Sequence, residues 1–343
     1  MFEAVVTLCL AADPGACRVT LLPGHEAATE AACAAGLGTF AAPPGTFARG
    51  TPSCREAPEG LSFEEVALGL FVHRGRIQEP GPANGGDVAN IVFVIGGESV
   101  AVIDAGLTRA VAEDAWRAIR ARTALPVSHL ILTHVHPDHA LGAPLFAEAG
   151  AEVVGHAALP RSLAERAANY VESLSREIGP AAALGSGAAV VDRTVDGQAE
   201  VDLGGRVLAL RAWPLAHTGT DLSILDASTG TLLAGDLVFD GHVPALDGSV
   251  TGWIAVLEAL AALPAGRVVP GHGGPVLDWP DGAAPTRRYL EVLAADTRAA
   301  IARGDRLSEA AATVAASEAG EWRLFGAFNA RNATVAFAEL EWE

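Results

Sequence analysis

The sequence predicts an α/β fold with a small cysteine-bearing segment at its start, and three observations carry that expectation. Apolar runs of strand length recur along the chain, several closing on a glycine beside a polar side chain, as at Ala234-Gly235-Asp236 and Pro270-Gly271-His272. Stretches with helical spacing lie between them, the longest over Leu159–Ile178. All four cysteines, Cys9, Cys17, Cys33 and Cys54, fall within the first 54 residues. A chain of 343 residues, 50% of them apolar, is long enough to bury one large core.

Taken in order, residues 1–62 form the cysteine-bearing segment, and the Pro- and Gly-rich stretch 42–60 reads as loop or linker. Residues 63–343 form the main domain. A strand starts at 66–72, a polar Gly-rich loop covers 78–87, and 90–103 reads as a hairpin turning at Gly96-Gly97. Helical spacing marks 108–121, with Trp116 and Ile119 on the apolar side, and again 143–149. A short strand follows at 153–154. Leu159–Ile178 carries Leu163, Ala167, Tyr170, Val171 and Leu174 on one stripe, which suits packing or a lid over a substrate. Strands are expected near 188–191, 199–203, 207–213, 222–226 and 231–234, and helices over 253–263, 286–303 and 307–318.

Charge and composition exclude several functions. The formal net charge of −18 argues against nucleic acid and against anionic lipid, both of which need clustered cations. No apolar run approaches the ~20 residues that span a bilayer. All 23 basic residues are Arg, so Schiff-base and P-loop lysine chemistry are excluded.

The four cysteines read as two disulfides, with three connectivities open, because a segment this short buries little core of its own. A four-cysteine zinc site is the competing reading, but the spacing lacks close Cys pairs. Disulfides imply the periplasm or the outside. The first twelve residues are a poor export signal, since no basic residue precedes the apolar stretch and Glu3 stands where positive charge is expected.

The densest chemistry lies in His134-Val135-His136-Pro137-Asp138-His139, just after an apolar run. Imidazoles and a carboxylate crowded at a strand end each need a buried partner, and a metal ion supplies it. His134 and His136 share one side of an extended chain, while Asp138 and His139 belong to the next turn and can face a second ion. Three later residues also end apolar runs: His217, Asp236 and His272. Together these seven exceed what one tetrahedral ion uses. The donor types suit zinc best, with iron or manganese also compatible.

In this order and spacing the ligand set resembles that of the metallo-β-lactamase-fold hydrolases over about residues 63–343, supported by the strand 90–96 and the Asp104-Ala105-Gly106 turn. The resemblance implies an αββα sandwich with the metals at one edge. It implies that His134, His136 and His217 hold one ion, that Asp138, His139 and His272 hold the other, and that Asp236 bridges. Asp104 would support a ligand or the turn rather than bind metal. Two divalent ions, zinc by ligand type, would activate water for hydrolysis of an ester, thioester, lactone or amide in a small-molecule substrate, with Asp138 and Asp236 as the catalytic carboxylates. An Asp at the bridging position is similar to thioesterase- and lactonase-type members; β-lactamase activity is a secondary reading.

A narrower resemblance, to the quinoprotein relay system zinc metallohydrolases of the longer, Cys-bearing type, rests on short marks. These are the segment 239–253 with His242, Pro244, Asp247-Gly248 and Trp253, the ending Phe328-Asn329-Ala330-Arg331-Asn332 through Glu339-Leu340-Glu341, and the leader with Cys9 and Cys17. It implies a functional link to periplasmic quinoprotein dehydrogenases. His242, Asp247, Trp253, Asn329 and Arg331, with Asn332, are the substrate-side candidates. A non-enzymatic accessory or binding protein on the same fold is the alternative from another class, and an intact ligand set speaks against it.

Overall fold

The computed structural model describes residues 1–38 and 40–343, and among these the strands form three sheets. The first is antiparallel: β1 (Phe2–Leu10) lies between β2 (Cys17–Ala27) and β3 (Thr46–Glu56). Disulfides join Cys9 to Cys17 across the β1–β2 register, and Cys33, on the short helix Glu30–Ala35, to Cys54 on β3. Glu3 is buried, with its carboxylate between Arg55 and Arg117.

β3 corrects the expected loop at 42–60. Pairing shifts register between Val5 and Thr7, so that Gly50, Thr51 and Pro52 stand opposite Val6. The Pro and Gly that suggest a loop therefore mark a bulge on an edge strand, where a missing N–H is harmless and Gly50 takes φ +87°.

The second sheet runs β10-β9-β8-β7-β6-β5-β4, from β4 (Glu64–Ala67), β5 (Leu70–His73), β6 (Ile91–Ile95), β7 (Val100–Ile103), β8 (Val127–Ile131), β9 (Glu152–His156) and β10 (Arg193–Val195). The strand start expected at 66–72 is a tight hairpin, turning through Leu68-Gly69. The strand expected at 188–191 lies slightly later, because the ladder with β9 opens only once Asp192 has bonded both backbone and side chain to Val153.

The third sheet runs β11-β12-β13-β14-β15-β16, from β11 (Gln198–Asp202), β12 (Val207–Ala212), β13 (Leu222–Asp226), β14 (Thr231–Phe239), β15 (Arg267–His272) and β16 (Leu277–Asp278).

Side-chain alternation explains the layering. On β6 and β7, Val92, Val94, Ala101 and Ile103 meet Leu208, Leu210, Ile224, Leu233 and Val269 of the third sheet. Ile91, Phe93, Val100 and Val102 point the other way, onto the helices Arg109–Arg120 and Ala143–Glu148. Leu232 and Val268 likewise face the helices Val250–Ala261, Ala284–Arg303 and Phe325–Leu340. Strands buried on both faces read as continuous apolar runs, and the result is an αββα sandwich.

Helix ends follow local and distant caps. Thr108 accepts the Val111 N–H, which fixes the start of Arg109–Arg120 where its spacing begins. Val250–Ala261 starts before the expected residue 253, because Ser249 caps it and Glu339 of the last helix accepts the Val250 and Thr251 N–H groups. The helix expected over 307–318 is Leu307–Thr313 followed by a single tight turn, since Ala315 takes a left-handed conformation at φ +56°.

Candidate metal centre

The ligand residues come together where strand ends of both sheets meet. The chain leaves β8 at Ile131, extends through His134 and His136, and turns into the short helix Pro137–Ala140 that carries Asp138 and His139. Asp236 does not close its strand as the sequence suggests, because β14 continues to Phe239. Its register with β15 shifts at Gly235, which takes φ +52° and whose Cβ would lie 2.7 Å from Thr133. Only glycine fits there, and the irregularity turns Asp236 toward the cluster. Gly271 is equally required, since a Cβ on it would come within 1.9 Å of Asp236 Oδ1.

Two ligand groups result: His134, His136, His217 and Asp236 in one, Asp138, His139 and His272 in the other. Asp236 touches both. Its Oδ2 lies 3.7 Å from His134 Nε2, 3.5 Å from His217 Nε2 and 3.4 Å from His272 Nε2, and its Oδ1 lies 3.2 Å from His139 Nε2. Asp138 Oδ2 is 3.3 Å from His272 Nε2.

The far ring nitrogens explain the orientation of these rings. His139 Nδ1–H donates to Asp104 Oδ2 at 2.8 Å, and His272 Nδ1–H to the Val88 carbonyl at 2.9 Å. His134 Nδ1–H donates to Thr133 Oγ1, which itself donates to Asp104. Each ring thereby turns its Nε2 inward, the orientation that metal-binding imidazoles need. His136 is reversed: its Nδ1 faces His217 Nε2 at 3.0 Å, and its Nε2 lies 3.3 Å from Asp247 Oδ2.

The donor set fits divalent metal. His134 Nε2 and Asp236 Oδ1 are buried at the centre without a hydrogen-bond partner, a cost that a cation would remove. Burial holds the His217 imidazole down to about 3 and His134 well below its ordinary value, so both are neutral donors. His139 is pulled down by burial but raised further by Asp236, Asp104 and Asp138, and the same balance puts His272 at about 9. Asp236 is kept ionised against burial by His139, His272 and His134. Charged imidazoles among buried carboxylates stand where a metal ion would take over the positive charge.

A cleft of about 340 Å³ opens onto the cluster, reaching His136, Asp138, Asp236 and His272. Its walls are Val88, Leu107, Leu174, Phe239 and Phe328, with Gln78, Glu79, Tyr170, Ser173 and Arg331 among its polar groups. Helix Leu159–Ile178 both packs and lines: Leu174 and Ile178 join Val88 and Leu107 in a small core, while Tyr170, Ser173 and Glu177 face the cleft.

The substrate-side candidates separate. His242 and Arg331 line the cleft. His242 is buried, donates Nδ1–H to the Val243 carbonyl, lies 4.8 Å from the His272 ring, and is held down to about 4 by burial and by His272. Asp247 contacts His136 rather than open space. Trp253 is buried behind the cluster, its ring 5.0 Å from that of His217 and its Nε1–H on the Leu237 carbonyl. Asn329 is buried too, accepting from the Tyr289 hydroxyl and donating to the Val314 carbonyl. Asn332 accepts the Leu246 N–H and donates to the Pro244 carbonyl, clamping the loop that carries His242 and Asp247. Sequence reasoning did not single out Arg166, Ser173 or Glu79. Arg166 stands four residues before Tyr170 on one helix face, the only signal that could have drawn attention to it.

The metallo-beta-lactamase superfamily profile matches residues 84–272, more than half of the chain. The chain belongs to that superfamily. With the His/Asp cluster in place, it is a metal-dependent hydrolase. No curated protein matches the sequence. Among solved structures, a metallo-beta-lactamase from Pontibacter korlensis is 21% identical, covering 67% of this chain and 99% of that one with a TM-score of 0.55. TMB-1 is 20% identical over 68% of this chain and 98% of its own, TM-score 0.53. The inverting sec-alkylsulfatase Pisa1 from Pseudomonas sp. is 15% identical, with 82% of this chain covering 50% of that one at a TM-score of 0.63. Likeness at these identities is one of fold.

Proposed function

We propose that the chain is a dinuclear hydrolase, with zinc as the metal by donor chemistry, that cleaves an ester, thioester, lactone or amide bond in a small molecule. The single observation that carries this reading is the position of Asp236, whose carboxylate contacts both ligand groups. A pair of divalent ions there would supply Lewis acidity and a water nucleophilic near neutral pH. His134, His136, His217 and Asp236 would hold one ion, and Asp138, His139, His272 and the shared Asp236 the other.

The protein's own residues define what the site accepts. Phe239, Phe328, Leu107 and Leu174 give the cleft an apolar lining that favours an acyl group and excludes bulk water. His242 holds its Nδ1 proton on a backbone carbonyl, so its Nε2 is a hydrogen-bond acceptor. We assign the protein to an oxidising compartment, in service to a quinoprotein dehydrogenase system. The two disulfides support the compartment. The resemblance of the 239–253 loop and the C-terminal helix supports the association, and in the fold these two segments form one unit through Asn332 and Glu339.

Protein loaded with zinc should hydrolyse at least one of a panel of thioesters, lactones and aryl esters, with nitrocefin in the panel to read β-lactamase activity. Turnover of nitrocefin alone would favour the β-lactamase reading. Metal-replete protein inert to the whole panel would favour a non-enzymatic role.

A further inference from the structure

Among the imidazoles of the cluster, His136 turns its Nδ1 rather than its Nε2 toward another ligand residue, His217. Its Nε2 points at Asp247 Oδ2, 3.3 Å away, from a loop more than a hundred residues later in the chain. Asp247 is itself gripped from two sides. Arg166, on helix Leu159–Ile178, donates Nη1–H to the same Oδ2, and Arg331, on helix Phe325–Leu340, donates to Oδ1 at 3.3 Å. The Asp247 N–H is bonded to the His217 carbonyl, which ties the loop to a second residue of the same ligand group. The carboxylate side chain is 19% exposed and His136 14%, whereas Arg166 and Arg331 are 41% and 61% exposed. The guanidiniums thus form the wet outer layer of a relay whose inner end is a ligand.

We propose that Asp247 is a positioning residue for His136: it accepts the Nε2 proton and so presents the bare Nδ1 to the first ion, while Arg166 and Arg331 hold the carboxylate in place from the two helices that wall the cleft.

The chemistry follows from the ring. A neutral imidazole has one N–H and one lone pair, and only the lone pair binds metal. Without an acceptor at Nε2, the proton is free to settle on Nδ1 and block coordination. Asp104 performs the matching task for His139, accepting its Nδ1 proton and leaving Nε2 inward. The two carboxylates differ in their supports: Asp104 is held by the Thr133 N–H and hydroxyl in the core, whereas Asp247 depends on two arginines from elements beside the substrate cleft. Arg331 also lines that cleft, so the support of Asp247 reaches the cleft side of the cluster.

This inference rests on the dinuclear reading above, and the experiment separates the two. Zinc affinity of each position is measured by chelator competition in wild type, Asp247→Ala, Asp247→Asn and the double variant Arg166→Gln/Arg331→Gln, with unfolding of the metal-free proteins as a control. Asp247→Ala should lose roughly tenfold to a hundredfold in affinity at one position only. Asp247→Asn, whose amide oxygen still accepts the proton, should recover part of that loss, and the double variant should lose less than Asp247→Ala. Nitrogen NMR of wild-type protein with labelled histidine gives a readout that needs no variant: His136 should carry its proton on Nε2. Wild-type affinity at both positions in folded Asp247→Ala, or a proton on His136 Nδ1, overturns the assignment while leaving the dinuclear reading intact. A wild-type chain that binds no second ion overturns the dinuclear reading instead, and the NMR result alone then decides the role of Asp247.

Discussion

Charged side chains are buried in two places, at the joint between the N-terminal sheet and the sandwich and at the metal edge, and the two differ in how the charge is completed. At the joint, carboxylates meet guanidiniums. Glu3 lies between Arg117 and Arg55, Glu113 between Arg18 and Arg109, and Arg109 reaches Glu148 as well. Each carboxylate here is met by guanidiniums of opposite charge, and Arg18 Nη1 is the one nitrogen of these arginines buried without a hydrogen-bond partner among the described residues. At the metal edge no arginine contacts Asp138, Asp236, His134, His139, His217 or His272 among the described residues, and His134 Nε2 and Asp236 Oδ1 are left without partners. Buried charge completed by protein serves architecture, whereas buried charge left incomplete marks a place for a ligand.

The sharpest way to break this contrast is to remove the shared carboxylate. Asp236→Ala should cost more than about a hundredfold in kcat/KM, since loss of an outer partner alone costs about ten- to a hundredfold. It should also empty one metal position, read by elemental analysis. Full activity with full metal content in this variant would contradict the role given to Asp236.

The carboxylate–guanidinium pairs should behave in the opposite way. Glu3→Ala leaves the Arg117 guanidinium, only 7% exposed, with Asp114 as its remaining close carboxylate, and should lower stability by about 2 kcal/mol, read as a shifted denaturant midpoint. Metal content should stay the same. A variant as stable as wild type, or one that lost metal, would erase the distinction between the two regions.

A smaller effect tests a histidine that is paired rather than open. His73 is buried, which lowers its pKa, but the hydrogen bond and charge of Asp87 at 2.7 Å raise it above the ordinary 6.5 overall. A raised value means that the pair's contribution, about 1–2 kcal/mol, is full below pH ~6.5 and is lost as pH rises through the folded pKa. Unfolding free energies measured from about pH 5 to pH 9 should show this decline in wild type and not in His73→Gln. An identical slope in both proteins would assign the decline to other groups.

Much of the metal edge was legible because local pattern carries it. H-x-H-x-D-H needs only one strand end, and Asp236 and His272 each follow a glycine that the close backbone approach requires. The layers were legible for a similar reason: strands buried on both faces and helices with one apolar stripe leave periodic marks. What escaped was set by distant partners. β3 is held as a strand by pairing with β1 and by the Cys33–Cys54 bond, against its own loop-like composition. The start of Val250–Ala261 depends on Glu339, and the place of Arg166 beside Asp247 on a contact 81 residues apart. Trp253 and Asn329 show the converse. Their residue types suit a substrate pocket, but both side chains spend their polar atoms inside the core.

The central claim, that the incomplete cluster is a site for a pair of ions sharing Asp236, is tested most directly by titrating metal-free protein with zinc and counting the ions bound at saturation. The account predicts about two per chain in wild type and about one in Asp138→Ala, whose carboxylate belongs to the second ligand group. Saturation at a single ion in wild type, with the same count in Asp138→Ala, would contradict it.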